Sequence, residues 1–267
     1  MDLKIKILRK SNEINKKSWD ELANFMFLKT DFLEIIENLE LGKEAYYFEI
    51  YDNDDLMGVF VAYPQFKSLY HNLEETIYGK FSFILKKFFK LSPSLLCNFP
   101  YSPFHQMFAI KDTKNKGEIF SFFLINLKKI TFENSYKTCG VLSIRNEIFL
   151  EESKKNNFIQ VFSGFNLYYD INWNSFDDFK KSFPRSKRYM INREKKQFES
   201  SGSKFEIVKK ENLYFEKISE LFKNNFKKYN MPIEDKISSE FIKAFEKKDE
   251  MNFFIIKNSL NEIIASI

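Results

Sequence analysis

Residues 173 to 202 read WNSFDDFKKSFPRSKRYMINREKKQFESSG, and this stretch holds most of the functional information in the chain. The 267 residues include 42 Lys and Arg residues, but only five of them are Arg. Three of those five, Arg185, Arg188 and Arg193, lie within nine residues. Arg presents a planar fork of donors that can hold phosphate or carboxylate bidentately. The clustering therefore predicts a site for an anionic ligand.

Two helices are predicted in this stretch. The first should run from 176 to about 183, because Ser175 and Asp178 have the spacing of a capping pair and Phe residues follow at i, i+3 and i+7. The second should begin at Pro184 and end at Gly202, since proline suits the first turn of a helix and glycine its C-terminal cap.

The second helix is predicted to be basic on one side and apolar on the other. At about 100° per residue, the following side chains share one face or lie beside it: Arg185, Arg188, Asn192, Lys196, Tyr189 and Arg193. Met190, Ile191 and Phe198 lie roughly opposite. This pattern is typical of an anion-binding face, and it is also typical of a solvated basic face on an ordinary amphipathic helix.

The same stretch resembles the opening of the second acyltransferase domain in FemAB-like proteins. These are tandem GNAT-fold enzymes that include the peptidoglycan-bridge aminoacyltransferases. Met190 departs from the pattern, since the family often has Asn there. The residues that match are Ser175, Phe176, Phe179, Lys187, Arg188, Ile191, Arg193, Glu194, Lys195, Lys196, Phe198, Glu199 and Gly202.

The resemblance implies an α/β (α+β) fold of tandem GNAT-like domains, each with a mixed central sheet flanked by helices. The first domain would span residues 1–165. The second would span 166–267 and would lack its end, because the chain stops within what should be a strand. An unpaired apolar strand at 262–267 would favour self-association between chains.

An internal repeat in the pattern of elements supports two similar domains. Residues 44–61 and 250–267 both read as hairpins, and they align without a gap so that Phe48 and Ile50 meet Phe254 and Ile256. Each hairpin follows a predicted strand and helices. Coincidence between two common hairpins remains the alternative.

Bulk properties place the chain among ordinary globular proteins of the cytoplasm. No apolar run reaches the length of a signal peptide core or a membrane span. Cys97 and Cys139 stand alone, so neither a disulfide nor a metal site is expected. Residues 1–267 contain no phosphate-binding glycine loop, which argues against nucleotide hydrolysis. It also weakens the hypothesis of acetyl-CoA as donor, unless such a loop lies beyond Ile267.

The loop at 98–108, NFPYSPFHQMF, is predicted to line a cleft because proline-rich loops at strand ends often do so. Tyr101 and His105 belong to this loop, and Tyr189 could reach the same cleft. His105 could serve as a general base. A structural role is the alternative, since the sequence shows no carboxylate to pair with it.

Three functions remain open. The first is N-acyl transfer to an amine of a phosphate-bearing small-molecule or lipid-linked acceptor such as a cell-wall precursor, with aminoacyl-tRNA or acyl-CoA as donor and no bound cofactor. The second is RNA or tRNA binding, and the third is binding without catalysis. The sequence identifies no catalytic group. The predicted binding residues are Arg185, Lys187, Arg188, Asn192, Arg193 and Lys196.

Overall fold

The computed structural model describes residues 1–23, 25–39, 44–66, 77–100, 105–161, 172–208, 214–228 and 253–266. The described residues up to 161 form one compact unit, and those from 172 onward form a second. The predicted boundary between 165 and 166 lies outside the described residues.

The first unit alternates strands and helices. Short 3-10 turns lie at Ser11–Glu13, Met26–Leu28 and Gly79–Phe81. Its elements are β1 (Leu3–Leu8), α1 (Lys16–Leu22), α2 (Thr30–Glu37), β2 (Tyr46–Asp52), β3 (Asp55–Gln65), α3 (Ser82–Phe88), β4 (Ser94–Cys97), β5 (Phe108–Ile110), α4 (Lys116–Glu133), β6 (Thr138–Val141) and α5 (Glu147–Lys155).

The second unit begins with two helices and continues with three strands and a further helix. The elements are α6 (Phe176–Lys181), α7 (Arg185–Ser200), β7 (Lys204–Val208), α8 (Phe215–Lys228), β8 (Phe253–Lys257) and β9 (Ile263–Ser266). None of the helices described in either unit is long and apolar enough to cross a membrane.

The sheet of the first unit is mixed, as predicted. Its order is β1-β2-β3-β4-β6, with β4 parallel to β6 and the other neighbours antiparallel. β5 pairs with β3 on the same edge as β4, because Phe60 pairs with Phe108 while Tyr63 pairs with Leu96. β4 and β5 therefore lie one after the other along the same edge of β3.

Aromatic side chains fill the space between this sheet and α4. Phe60 of β3 stacks on Phe123 of α4 with ring centroids 3.9 Å apart, and Phe48 of β2 meets Phe123 edge-on at 5.2 Å. All three rings are fully buried. Gly58 lets the helix approach, since a Cβ there would lie 3.1 Å from the side chain of Ile119.

The opposite face of the sheet is covered by α1 and α2. Trp19 is fully buried, packs edge-on against Tyr47 and donates its indole N–H to the carbonyl oxygen of Leu28 at 2.8 Å. Asp20 accepts hydrogen bonds from both the N–H and the hydroxyl of Thr30 at 2.8 Å, which caps α2. Helices on both faces of a mixed sheet confirm the predicted fold class for this unit.

The described sheet of the second unit is antiparallel throughout, in the order β7-β8-β9. Ile255 and Ile263 are buried on one face, as is Ile218 of α8, which packs on β9. Phe205 and Ile207 alternate onto the other face, where both are exposed. This face of the sheet is apolar and open to solvent.

The strands of the two units pair in the same register. In the first unit Ile5, Ile7 and Leu8 pair with Ile50, Phe48 and Tyr47, and in the second Phe205, Ile207 and Val208 pair with Ile256, Phe254 and Phe253. Each hairpin also has a bulge at the equivalent place, after Ile50 and after Ile256. Such a shared register is what duplication requires, and duplication stays a prediction.

In the ungapped alignment the first strands of the two hairpins share a register, whereas their second strands differ by one residue. Ile50 pairs with Gly58, whereas Ile256 pairs with Ala265 rather than with Ile264. The second turn is longer by one residue: Asn258 N–H bonds across it to Glu262, and Asn261 adopts a φ of 64°. Three-residue hairpin loops commonly end on such a left-handed residue.

We expect the aromatic contact between sheet and α4 to dominate the stability of the first unit. Phe123→Ala should lower the free energy of unfolding by about 3 to 5 kcal/mol, because the ring is fully buried. Phe132→Ala on the same helix removes a ring that is 87% exposed and should cost about 0.5 kcal/mol or less. Urea unfolding monitored by circular dichroism measures both. Equal midpoints for the two variants would contradict the assignment of the core.

We expect β9 to act as an edge for self-association, since it pairs with β8 and with no other strand of the described chain. Ile264→Lys places a charge on that edge and should shift the protein toward monomer in sedimentation velocity. Ile125→Lys on α4 changes an isoleucine of similar exposure and should leave the distribution unchanged. A wild-type protein that is monomeric at every concentration would rule out association through β9.

Candidate functional site

The candidate site starts with a firmly capped short helix. Ser175 is the N-cap of α6, as predicted: its hydroxyl oxygen accepts from the N–H of Asp178 at 3.1 Å and its O–H donates to the Asp178 carboxylate at 3.0 Å. The ring of Phe179 contacts Trp173 and Phe183 at 4.8 and 4.9 Å. These contacts fix the end of α6 just before the basic helix begins.

The basic helix α7 lies where the sequence predicts it. Pro184 occupies the N-cap position, and the helix continues to Ser200. Gly202 follows with a φ of 71°, and its N–H bonds to the carbonyl oxygen of Glu199 at 3.3 Å. A Cβ at this glycine would lie 3.2 Å from that of Ser259, so the chain turns closely past the β8–β9 hairpin.

The predicted basic face is open to solvent. Arg185, Asn192, Arg193 and Lys196 are exposed, and Arg188 is half-buried. Arg188 lies roughly 60° around the helix from Ile191, which is also half-buried. It therefore stands at the border between the basic and the apolar side, with part of its stem covered.

The cations of this face differ from the neighbouring lysines in their partners. Lys181 and Lys195 form ion pairs with Asp178 and Glu199 at 3.1 and 3.8 Å. Within the described chain, no carboxylate lies within ion-pair distance of these four cations: Arg185, Arg188, Arg193 and Lys196. Their positive charge is thus available to a ligand.

Lys180 of α6 lies beside the basic face of α7, although it is not one of the predicted binding residues. Its ammonium group forms an ion pair with Asp177 at 2.7 Å and donates to the side-chain oxygen of Asn192 at 3.3 Å. This hydrogen bond with Lys180 lowers the pKa of Asp177. The bond to Asn192 ties α6 to α7 and leaves the amide N–H groups of Asn192 as donors.

Two predicted residues have different surroundings. Lys187 is exposed on α7 but lies about 160° away from Arg185, outside the basic face. Tyr189 is 70% exposed beside Arg185 and Arg193, so its ring is available for stacking. Five of the six predicted binding residues therefore share one side of the helix, and Lys187 does not.

His105 lies in the first unit, in the loop before β5. Its ring meets that of Phe27 edge-on at 4.1 Å and that of Phe99 at 6.0 Å. Burial lowers the pKa of His105, and the positive charge of Arg145 lowers it further. A lowered pKa favours the neutral imidazole, which is the form that can accept a proton as a general base. Tyr101, its predicted companion, lies outside the described residues.

The chemistry open to the basic face is anion binding. Three guanidinium groups and one ammonium group offer many donors and no acceptor, and arginine keeps its charge at every physiological pH. In the described ranges, no group of three His, Cys, Asp or Glu side chains is placed to hold a metal ion. The face suits phosphate oxygens, which accept charge-assisted hydrogen bonds.

A sequence-family comparison covers nearly the whole chain. The family of FemAB-like proteins, described as peptidoglycan biosynthesis and recognition, matches residues 10–265. The match includes the whole of α6 and α7. No curated protein matches the chain.

Solved structures with distant similarity include two aminoglycoside acetyltransferases. One is meta-AAC0020 from an uncultured soil metagenomic sample in complex with trehalose, with 13% identity, a TM-score of 0.39 and coverage of 64% of this chain and 97% of that one. The other is the 6'-N-acetyltransferase AAC(6')-IG from Acinetobacter haemolyticus, with 12% identity, a TM-score of 0.39 and coverage of 63% and 99%.

Because the pKa of His105 is lowered in the folded protein, we expect its stability to depend on pH. The unfolded chain binds this proton with a pKa of about 6.5 and the folded protein binds it less tightly. The free energy of unfolding should therefore be unaffected by His105 above that pH. It should fall as the pH drops from about 6.5 toward the lower pKa of the folded protein. His105→Gln should flatten the dependence of the urea midpoint on pH between about pH 7 and pH 5. The same slope in both proteins would show that His105 titrates normally.

Proposed function

The chain belongs to the FemAB-like family, and from this membership we propose that it is an N-acyltransferase acting on a phosphate-bearing acceptor. It would transfer an acyl or aminoacyl group to an amine of a small-molecule or lipid-linked acceptor such as a cell-wall precursor. Donors of this class, aminoacyl-tRNA and acyl-CoA, are found in the cytoplasm. We place the protein in that compartment as part of the proposal.

One observation supports the phosphate-bearing ligand above the others. Cations that have no carboxylate partner among the described residues gather on one side of α7. The nearby lysines Lys180, Lys181 and Lys195 are each paired with a carboxylate. Exposed like charges at this spacing repel one another, by a few tenths of a kcal/mol per pair on a helix. A bound polyanion removes that repulsion and gains charge-assisted hydrogen bonds.

The transfer reaction can proceed without a covalent intermediate on the protein. The acceptor amine attacks the carbonyl carbon of the donor, a tetrahedral oxyanion forms, and the ester oxygen of tRNA or the thiol sulfur of CoA leaves. The amine loses one proton and the leaving group gains one. Positioning of the two substrates can supply much of the rate, about 7 to 11 kcal/mol of the barrier in well-oriented cases. The basic face would contribute by holding a phosphate group.

Both donors carry phosphate groups, so the basic face could hold donor or acceptor. An aminoacyl-tRNA presents a run of backbone phosphates, whereas acyl-CoA presents a pyrophosphate and one further phosphate. Acyl-CoA enzymes commonly hold the pyrophosphate with backbone N–H groups in a glycine-rich turn. The sequence has seven glycines and no Gly-x-Gly arrangement. The proposal includes both donors, aminoacyl-tRNA and acyl-CoA.

A second function is supported by a separate observation. The ring of Tyr189 is exposed among the arginines of α7, and aromatic rings beside basic groups are typical of surfaces that stack single-stranded RNA bases. A chain that binds RNA without transferring a group would be the non-catalytic alternative. The two functions differ in their response to small phosphate-bearing competitors, which would displace a precursor but not a long RNA.

We expect Arg188→Ala to weaken ligand binding by roughly ten- to a hundredfold, since each charge-assisted hydrogen bond is worth about 1.5 to 3 kcal/mol. Arg188→Lys should recover part of the loss, because it keeps the charge without the fork. The control is Lys187→Ala, a change of the same charge on another side of the helix, which should have little effect. Titrations with phosphate-bearing cell-wall precursors, tRNA and acyl-CoA measure this.

The outcome of these titrations separates the alternatives. Binding of tRNA alone, with a steep dependence on salt and no transfer activity, would support the RNA-binding function instead. Equal losses for Arg188→Ala and Lys187→Ala would indicate general attraction to a basic chain. If Arg188→Ala bound all three ligands as tightly as the wild type, α7 would be an ordinary solvated helix and not a binding surface.

A further inference from the structure

An unusual aromatic surface lies in the first unit, far along the sequence from the basic helix. Residues 77–90, IYGKFSFILKKFFK, include the 3-10 turn Gly79–Phe81 and helix α3. We call residues 77–90 the aromatic segment. The side chains of Phe81, Phe83, Phe88 and Phe89 are between 61% and 74% exposed, and Ile84 is 44% exposed. Phenylalanines of the core, such as Phe120 and Phe123, are fully buried.

The exposed side chains are arranged as a surface. Phe81, Ile84 and Phe88 have the spacing i, i+3 and i+7, which places them on one side of the helical turn. Leu85 of the same helix is half-buried. The hydroxyl of Tyr78 donates to the carbonyl oxygen of Phe89 at 3.0 Å, which ties the two ends of the segment together. The aromatic side chains are thus presented on an ordered helix.

The charge of the aromatic segment has a single sign. Lysines occupy positions 80, 86, 87 and 90, and the segment contains neither Asp nor Glu. Lys80, Lys87 and Lys90 are exposed, and in the described residues they have no carboxylate within ion-pair distance. Elsewhere in this unit, the exposed lysines Lys16 and Lys155 pair with Asp31 and Glu152.

We propose that the aromatic segment is a docking surface for an anionic lipid bilayer. Exposed Phe and Ile side chains can enter the boundary between headgroups and acyl chains, while lysines around them contact anionic headgroups. Helix α3 has seven residues, about a third of the length that a membrane span requires. The helix would therefore lie in the plane of the interface.

Charge complementarity selects the bilayer over a second copy of the chain. Two aromatic segments facing each other would bring at least six exposed ammonium groups together without a carboxylate from either segment. An anionic membrane surface neutralises those charges and also accepts the aromatic rings. Attraction from several lysines adds to the transfer of apolar area, so neither contribution has to act alone.

Binding of the full chain to vesicles tests the proposal directly. We expect sedimentation with vesicles of phosphatidylcholine and phosphatidylglycerol, and much less with phosphatidylcholine alone. Phe88→Ser should lower the partition coefficient about tenfold, because one buried aromatic side chain is lost. Its matched control is Phe132→Ser, which removes a ring that is 87% exposed on α4 and should leave partitioning unchanged.

A pair of charge variants tests the electrostatic part. Lys87→Glu should lower binding to the anionic vesicles more strongly than Lys17→Glu, which reverses an exposed lysine of α1 outside the segment. The urea midpoint of every variant should match the wild type, since all four side chains are exposed. If the midpoint of a variant changes, Phe88→Trp serves as a second test. The fluorescence emission of this tryptophan should shift to shorter wavelength with anionic vesicles only.

The possible results are decisive in either direction. Absence of binding to anionic vesicles, or equal losses for Phe88→Ser and Phe132→Ser, would overturn the proposal. A dimer that dissociates in the Phe88→Ser variant would assign the surface to self-association instead. The measurement uses no substrate, so vesicle binding can fail while acyl transfer succeeds, and the reverse.

Discussion

The stacking of Phe60 on Phe123 is the contact on which the architecture of the first unit depends. Their rings are nearly parallel, with an angle of 12° between planes, and both are fully buried between the sheet and α4. Gly58 makes the close approach possible, since a side chain there would meet the ring of Phe60 at 3.0 Å. With α4 fixed in this way, β3 offers one edge to both β4 and β5. In the same unit the rings of Phe27 and Phe99 lie against His105, and burial lowers the pKa of its imidazole.

The first strands of the two units pair in the same register, but the turns of their hairpins differ in length. Each unit has a bulge near the end of its hairpin's first strand, after Ile50 and after Ile256, and a bulge increases local twist. The turn of the second hairpin is one residue longer and uses Asn261 in a left-handed conformation. A difference confined to the turn leaves the register of the first strands intact. Turns at the surface tolerate such insertions, whereas a shift within a strand would send every side chain to the other face.

Positive charge is used in two distinct ways in this chain. On the basic face of α7 three of the four cations are arginines, whose planar groups match phosphate oxygens. None of these four cations has a carboxylate partner in the described chain. On the aromatic segment the cations are lysines interspersed with exposed phenylalanines. Lysine has a flexible stem and a compact charge, which suits the mobile headgroups of a bilayer more than a fixed bidentate contact. The two surfaces therefore differ in the ligand they would select, although both are basic.

The sequence by itself determined the positions of the basic helix, its cap at Ser175, its end at Gly202 and the mixed α/β class, because these follow from local spacing and residue type. It also placed Arg185, Arg188, Asn192, Arg193 and Lys196 on one side of α7, since helical periodicity is a local property. Three features were decided only by the tertiary structure. Lys180 donates a hydrogen bond to Asn192, β4 and β5 pair with the same edge of β3, and the aromatic segment is exposed. Each depends on which distant residues cover a side chain or strand edge. A run such as FSFILKKFF is equally apolar in a core or at a surface, so packing alone decides where its rings lie.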